Sequence, residues 1–303
     1  MGFVNALGPG RFSPLDDKMA SLPLFPGKFR VIGAAASLMC WFGKNEREVS
    51  LWPGARFSVD LRDRIQRQMW RASYEPHVTH CLKSILRPGD TFVDVGAHIG
   101  YHSFYAAGVV GTTGRVFSFE PDPSVYARLK RNLEPFPYAH AFQCAVWERE
   151  AELLFERSSC AQESGWGSLT TVRTLGAGEQ IPIRAVSLDG WSCEMNSSAV
   201  RAIKIDAEGS ELAVLKGSTK LIGESRPVLL LEVNDVVLRQ GGASGNLILS
   251  ELRNLGYRIY EIRNSALHRL EIFEDSSFAD CLCFPEENNS EWLASIRTAG
   301  WRA

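Results

Sequence analysis

Two periods of apolar residues organise most of the chain. "HVTHCLKSIL" puts Val78, Cys81, Leu82, Ile85 and Leu86 on one face of a helix, and Arg87-Pro88-Gly89-Asp90 ends it. "TFVDVG" (91–96), "GRVFSFE" (114–120), "HAFQCAV" (140–146), "VRAIKID" (200–206) and "PVLLLEVN" (227–234) read as buried strands. Helical stretches at 100–110, 123–134, 210–218 and 246–256 separate or follow them, and "YRIYEI" and "FADCLCFP" read as terminal strands. Such alternation predicts an α/β fold, a mostly parallel sheet covered on both faces by helices. Residues 150–186 interrupt the series as a β-rich insertion. Ahead of the series, "EVSLWPG" and "RFSVDL" form a hairpin signal around Pro53-Gly54, while the prolines and glycines of residues 1–27 favour little regular structure. The expected organisation is an N-terminal extension (1–73), a main domain (74–290) and a C-terminal tail (291–303). A lid or a contact for a second copy, making a homo-oligomer, are the roles open to the extension.

Composition narrows the function classes. With 303 residues, 45% hydrophobic and 22% charged, the chain is neither disordered, collagenous nor a simple coiled coil. Lys and Arg number 33 against 35 Asp and Glu, a net charge of -2. No overall positive field draws in nucleic acid, so none is expected as a partner. The seven cysteines are odd in number and scattered, without CxxC, which argues against a disulfide framework or zinc knuckle and for a reducing, cytoplasmic setting. Cys281 and Cys283 share one strand face and read as core. The apolar run from Val31 to Gly43 is shorter than the roughly 20 residues that span a bilayer. It reads as a buried helix, with no stable membrane insertion. His77 and His80, and His98 and His102, have spacings that suit zinc, yet no third ligand accompanies them. No metal is expected.

In a parallel sheet of this kind, ligands bind beyond the carboxyl ends of the strands. The first strand ends in Asp94-Val95-Gly96-Ala97-His98-Ile99-Gly100. Its glycines allow a sharp turn and close approach to a ligand. The opening carboxylate would repel a pyrophosphate and suits an ammonium or sulfonium. The second strand ends in Glu120-Pro121, where a carboxylate can accept both ribose hydroxyls. A nucleoside with a cationic tail describes S-adenosylmethionine better than NAD. The fourth strand runs into Asp206-Ala207-Glu208-Gly209-Ser210-Glu211. There, Ser210 or Glu211 can complement the unpaired N–H groups of the next helix, and Asp206 sits over the site. Glu232 and Asn234 end the fifth strand, where a charge must pair or meet solvent.

"FVDVGAHIGYHSFYAA", "VFSFEPDP", "SLDGW", "IKIDAEGSELAVLKG" and "LLLEVN", in this order over about residues 70–285, resemble the FkbM family of S-adenosylmethionine-dependent methyltransferases. "KIDAEGSE" is the distinctive segment; the first loop departs from the general methyltransferase GxGxG. The resemblance implies a Rossmann-like class I methyltransferase sheet of seven strands with the last antiparallel. By motif position it implies that Gly96, His98 and Gly100 line the cofactor loop with Asp94, and that Glu120 holds the ribose. It also implies that Cys144 and Ala145 lie near the adenine, that Asp206 closes the methionine end, and that Tyr74 and Glu75 cover the cofactor.

Methyl transfer is an in-line displacement that chiefly needs alignment, and a hydroxyl acceptor also needs its proton removed. The candidate bases are Glu208, Asp206, Glu232 and His98, with Glu208 first because Asp206 is committed to cofactor. Trp166, in "SGWGSL", with Ser168 and Asn234, is the expected acceptor surface. The expected acceptor is a small molecule or peptide, foremost a hydroxyl of a secondary metabolite or glycan. An amide or amine nitrogen is the alternative within the class. An NAD-dependent oxidoreductase and a non-catalytic nucleotide-binding partner protein are the alternatives outside it.

Overall fold

The computed structural model describes residues 41, 43, 45–52, 55–71, 74–158, 164–173, 176, 178–195, 199–264, 266–298, 300 and 301. The apolar run at 31–43 falls almost wholly outside them. By packing the chain forms two units, Met1–Pro76 with Cys160–Gly165, and His77–Ser159 with Trp166–Ala303.

In the first unit, β1 (Glu46–Trp52) and β2 (Ala55–Asp60) pair antiparallel as the hairpin their alternation predicts. Helix α1 (Arg64–Trp70) follows, capped by Asp63, whose carboxylate accepts the Gln66 N–H. The other oxygen of Asp63 accepts the N–H and hydroxyl of Ser164 at 2.9 and 2.6 Å, which ties Ser164 to this unit.

The second unit carries the alternating series. Helix α2 (Pro76–Ile85) starts at the boundary. Then come β3 (Thr91–Val95), α3 (Tyr101–Val110), β4 (Arg115–Phe119), α4 (Pro123–Leu133) and β5 (Ala139–Phe142). Next comes β6 (Ala145–Val146), and the insertion then supplies β7 (Ala151–Glu156), β8 (Ser168–Leu169) and β9 (Gln180–Val186). The series resumes with α5 (Leu188–Met195), β10 (Ala202–Ile205), α6 (Glu211–Lys216), α7 (Thr219–Ser225) and β11 (Val228–Asn234). It closes with α8 (Asp235–Gln240), α9 (Gly245–Asn254), β12 (Tyr257–Arg263), β13 (Ala266–Arg269), β14 (Phe278–Pro285) and α10 (Asn289–Thr298).

Among the described residues the large sheet has eight strands in the order β13-β12-β14-β11-β10-β3-β4-β5. The strands from β5 to β11 pair parallel, and β14 runs antiparallel to both β11 and β12. The seven-stranded expectation therefore gains β13, a short antiparallel edge strand. Side chains alternate between the two faces along a strand, so the strands feed two cores. Val93, Phe117, Ile203 and Leu229 belong to one core, and Phe92, Val116, Ala202 and Val228 to the other. Burial on both faces is why these strands read as continuous apolar runs. Cys281 and Cys283 pack together in the first core.

One expected strand is divided. "HAFQCAV" (140–146) is not one strand: Ala139–Phe142 extends the large sheet, whereas Ala145–Val146 pairs parallel with β9 in a separate sheet ordered β6-β9-β7-β8. A bend at Gln143–Cys144 redirects the chain. In the segment expected as a C-terminal tail, α10 buries Trp292 and Ile296, one turn apart, against the second core with Trp301. The guanidinium of Arg201 stacks 4.2 Å from the Trp292 ring and holds this helix. No helix among the described residues is long and apolar enough to cross a membrane.

Candidate active site

The chain runs from β3 outward to β5 and then returns to β10 on the other side of β3, so the switch point lies at the carboxyl ends of β3 and β10. Gly96 follows β3 with φ +75°, and a Cβ there would stand 1.7 Å from the carbonyl oxygen of Asp206. The two strand ends touch through backbone, which only glycine permits. The N–H groups of Gly96 and Ala97 donate to the Phe119 carbonyl at 3.1 and 2.9 Å, adding the end of β4. His98 also adopts a left-handed backbone, φ +51°, and its N–H donates to Glu120 Oε2 at 3.0 Å. Gly100 starts α3 at φ +88°, where a Cβ would collide with Leu129.

Asp94 is buried. Its Oδ2 accepts the Ser103 hydroxyl, which in turn accepts that of Ser118 at 2.8 Å. Half of this carboxylate thus anchors β3 to α3 and β4. Oδ1 is buried with no hydrogen-bond partner among the described residues.

Glu120 is buried too, and its Oε1 accepts the Asp122 N–H at 2.9 Å. Burial pushes its carboxyl up to about 8; the negative charges of Asp122 and Asp206 add to this, against the N–H bonds from Asp122 and His98. Each oxygen takes one backbone N–H and keeps a further lone pair for a ligand hydroxyl.

The turn after β10 gathers charge. Lys204, buried in the middle of "AIKI", reaches Asp206 Oδ2 at 2.8 Å. Glu208 holds a left-handed backbone, φ +46°. Burial first, then the negative charge of Asp206, raises its carboxyl to about 8, with Arg173 opposing. Arg173 Nη2 stands 3.5 Å from Glu208 Oε2, and the Glu208 side chain keeps 27% of its surface open to solvent. Glu211 Oε1 accepts the N–H groups of Ala207 and Gly209 at 3.1 and 3.0 Å, so this carboxylate shapes the turn. Burial raises it to about 7. Ser210 occupies the cap position but makes no side-chain cap bond. Carboxylate oxygens of Asp206 and Glu232 lie within 4.8 Å of each other.

The structure therefore brings together Asp94, Gly96, His98, Gly100, Glu120, Asp206, Glu208 and Glu232 at adjoining strand ends. The other expected residues have different surroundings. Asn234 Oδ1 accepts the Val237 N–H and caps α8. Ser168 is buried, and its hydroxyl donates to the Glu208 carbonyl at 3.2 Å, bracing the turn. Cys144 lies in the first core, its thiol pushed up to about 11 by burial, and Ala145 lies in the small-sheet core. Trp166 ends a 3-10 turn, and its side chain lies outside the description. Tyr74 and Glu75 belong to the first unit. His77 Nε2 lies 2.8 Å from Asp280 Oδ2.

Lys204 and Arg173 join the site without being among the residues the sequence points to. A cation inside an apolar strand two residues before a carboxylate was the available signal for Lys204, since a buried charge must be paired. Nothing local marks Arg173, whose role depends on where the insertion folds.

Residues 94–259 match the methyltransferase FkbM domain family. The hexuronic acid methyltransferase AglP of Haloferax volcanii is 29% identical over 189 residues, covering 59% of this chain and 70% of that protein. The 31-O-demethyl-FK506 methyltransferase FkbM of Streptomyces tacrolimicus is 30% identical over 207 residues, covering 57% and 75%. The 2-O-methyltransferase NoeI of Sinorhizobium fredii is 25% identical over 138 residues, covering 42% and 56%. The motif-bearing strand ends and the matched span coincide, and the chain belongs to the FkbM-domain methyltransferases.

Proposed function

We propose that this methyltransferase takes its methyl group from S-adenosylmethionine and delivers it to a hydroxyl oxygen of a small molecule, foremost a sugar-bearing metabolite or glycan. The observation that carries the donor assignment is Glu120. It is a buried carboxylate presented by two backbone N–H groups at the end of β4, beside a glycine turn with no room for a Cβ. The buried, unpartnered Oδ1 of Asp94 suits the ammonium of a methionine tail. Bound there, the sulfonium supplies an already activated methyl, leaving the protein to align and deprotonate the acceptor.

Glu208 is assigned as the general base. It is partly open to solvent, and its raised carboxyl lies near the pH at which a base both exists and holds a proton well. Lys204 fixes Asp206 beside it, and Asp206 and Glu232 line the same strand ends. Oxygen as the acceptor atom draws on the relatives, two of whose names place the methyl on oxygen.

The test is transfer of isotopically labelled methyl from S-adenosylmethionine to a panel of free sugars, a hexuronic acid, glycosylated metabolites and amines. The expected product carries the label in an ether methyl that survives alkali. Label confined to amines would contradict the hydroxyl assignment.

A further inference from the structure

Arg157 follows β7, in the insertion, and all three nitrogens of its guanidinium are engaged. Nε donates to Asp122 Oδ2 at 2.8 Å and Nη2 to Asp122 Oδ1 at 3.1 Å, a two-pronged grip on one carboxylate. Nη2 also reaches the Ser124 hydroxyl at 2.7 Å, and Nη1 reaches Glu179 Oε2 at 2.9 Å. The Arg157 N–H donates to the Glu179 carbonyl at 2.9 Å, so both strands of the insertion's hairpin stand behind the side chain. Gly178 allows this closeness, since a Cβ there would meet the Arg157 carbonyl oxygen at 1.8 Å.

Asp122 is the pivot. It caps α4 by accepting the N–H groups of Ser124 and Val125, and its own N–H donates to Glu120. An unbroken series of bonds thus runs from the insertion through Asp122 and Glu120 to the His98 N–H in the loop after β3. We propose that Arg157 is a positioning residue for the methyl donor: by gripping Asp122 it holds the Glu120 carboxylate in place and offsets the negative charge next to it. The inference rests on the reading of Glu120 as the ribose-binding group.

The sign of the electrostatic effect follows from the neighbours. Glu120 faces Asp122 on its own loop, Asp206 at the end of β10, and the His98 N–H from the loop after β3. Both carboxylates oppose its ionisation. Arg157 neutralises Asp122, as the lowered Asp122 carboxyl reflects. Without the guanidinium, Asp122 acts on Glu120 uncompensated, and Glu120 ionises at higher pH. Ionised Glu120 accepts both ribose hydroxyls, so donor affinity rises with pH and the midpoint of that rise should move up.

The experiment is calorimetric titration of S-adenosylhomocysteine into the purified protein between pH 6 and 9.5. One ligand is used throughout, so its own titration cancels between variants. Arg157→Ala is expected to weaken binding about fivefold to twentyfold and to move the midpoint upward by about half a unit to one unit. Asp122→Asn keeps a capping side chain and is expected to move the midpoint the other way, downward. In the double variant the upward shift should vanish. Unchanged affinity and midpoint in Arg157→Ala would overturn the proposal, as would weakened binding with an unmoved midpoint, the signature of a purely structural brace. If Arg157→Ala does not fold, the Asp122→Asn midpoint decides, and an unmoved value overturns the proposal. Failure of the unaltered protein to bind at any pH overturns instead the donor assignment on which this rests.

Discussion

Gly96→Ala is expected to abolish donor binding and lower the Tm of the protein by about 5–15 °C. A methyl group at this position would lie 1.7 Å from the Asp206 carbonyl oxygen. The clash is with backbone, so no side-chain rotation relieves it, and the ends of β3 and β10 must separate. Overpacking of this kind costs about 1–3 kcal/mol, and a left-handed backbone adds about 1–2 kcal/mol for a residue with a Cβ. For a unit of this size each kcal/mol lowers Tm by about 2–4 °C. The same movement displaces the His98 N–H from Glu120 and the Gly96 and Ala97 N–H groups from Phe119. Gly242→Ala provides the control. Gly242 has nearly the same φ, +77°, with nothing within 4 Å of a Cβ. It carries the backbone cost alone and should keep donor binding. Equal losses from the two substitutions, measured by thermal unfolding and calorimetry, would show that the contact between strand ends is not what matters.

Glu208→Gln should lower kcat by about 10²–10⁴-fold, the usual share of a general base, while donor affinity stays within about twofold. The amide preserves size but cannot accept a proton from the acceptor hydroxyl. The pH dependence is the sharper signature. A carboxylate can act as a base only when ionised, and that of Glu208 is raised to about 8. The rate should therefore climb with pH and level off above that value. At pH 6 only on the order of one hundredth of the molecules would carry the ionised base. In Glu208→Gln the ascending limb should be lost, leaving a low rate without this step. A persisting limb with the same midpoint would move the role to another group, with Asp206 and Glu232 the nearest carboxylates on the same strand ends.

What the sequence disclosed follows from where its information is local. Strands buried on both faces, such as Thr91–Val95 and Val228–Asn234, need apolar residues at nearly every position and so stand out. The glycines of the first loop announce a turn whose cause, the approach of Asp206, is visible only in three dimensions. "HAFQCAV" reads as continuous because apolar residues recur through both halves; their separation depends on β9, far along the chain. The helix at Asn289–Thr298 was obscured by its polar opening, "NSE", although Trp292 and Ile296 lie one turn apart.

The candidate site was legible in its backbone-facing acids and less so in its cations. Glu120 and Asp206 occupy strand ends, where the fold rule places ligands. Asp94 belongs there too, but one of its oxygens serves Ser103, a commitment with no mark in the sequence. Asn234 and Ser168, expected to face an acceptor, hydrogen-bond within the protein. Arg157 and Arg173 enter from the insertion, and only its fold reveals that they reach Asp122 and Glu208.

The measurement closest to the central claim is direct calorimetric comparison of three ligands on the unaltered protein: S-adenosylmethionine, S-adenosylhomocysteine and NAD. Saturable binding of both sulfur nucleosides, with none of the dinucleotide, is the predicted result. Tight NAD binding without affinity for either sulfur compound would contradict it.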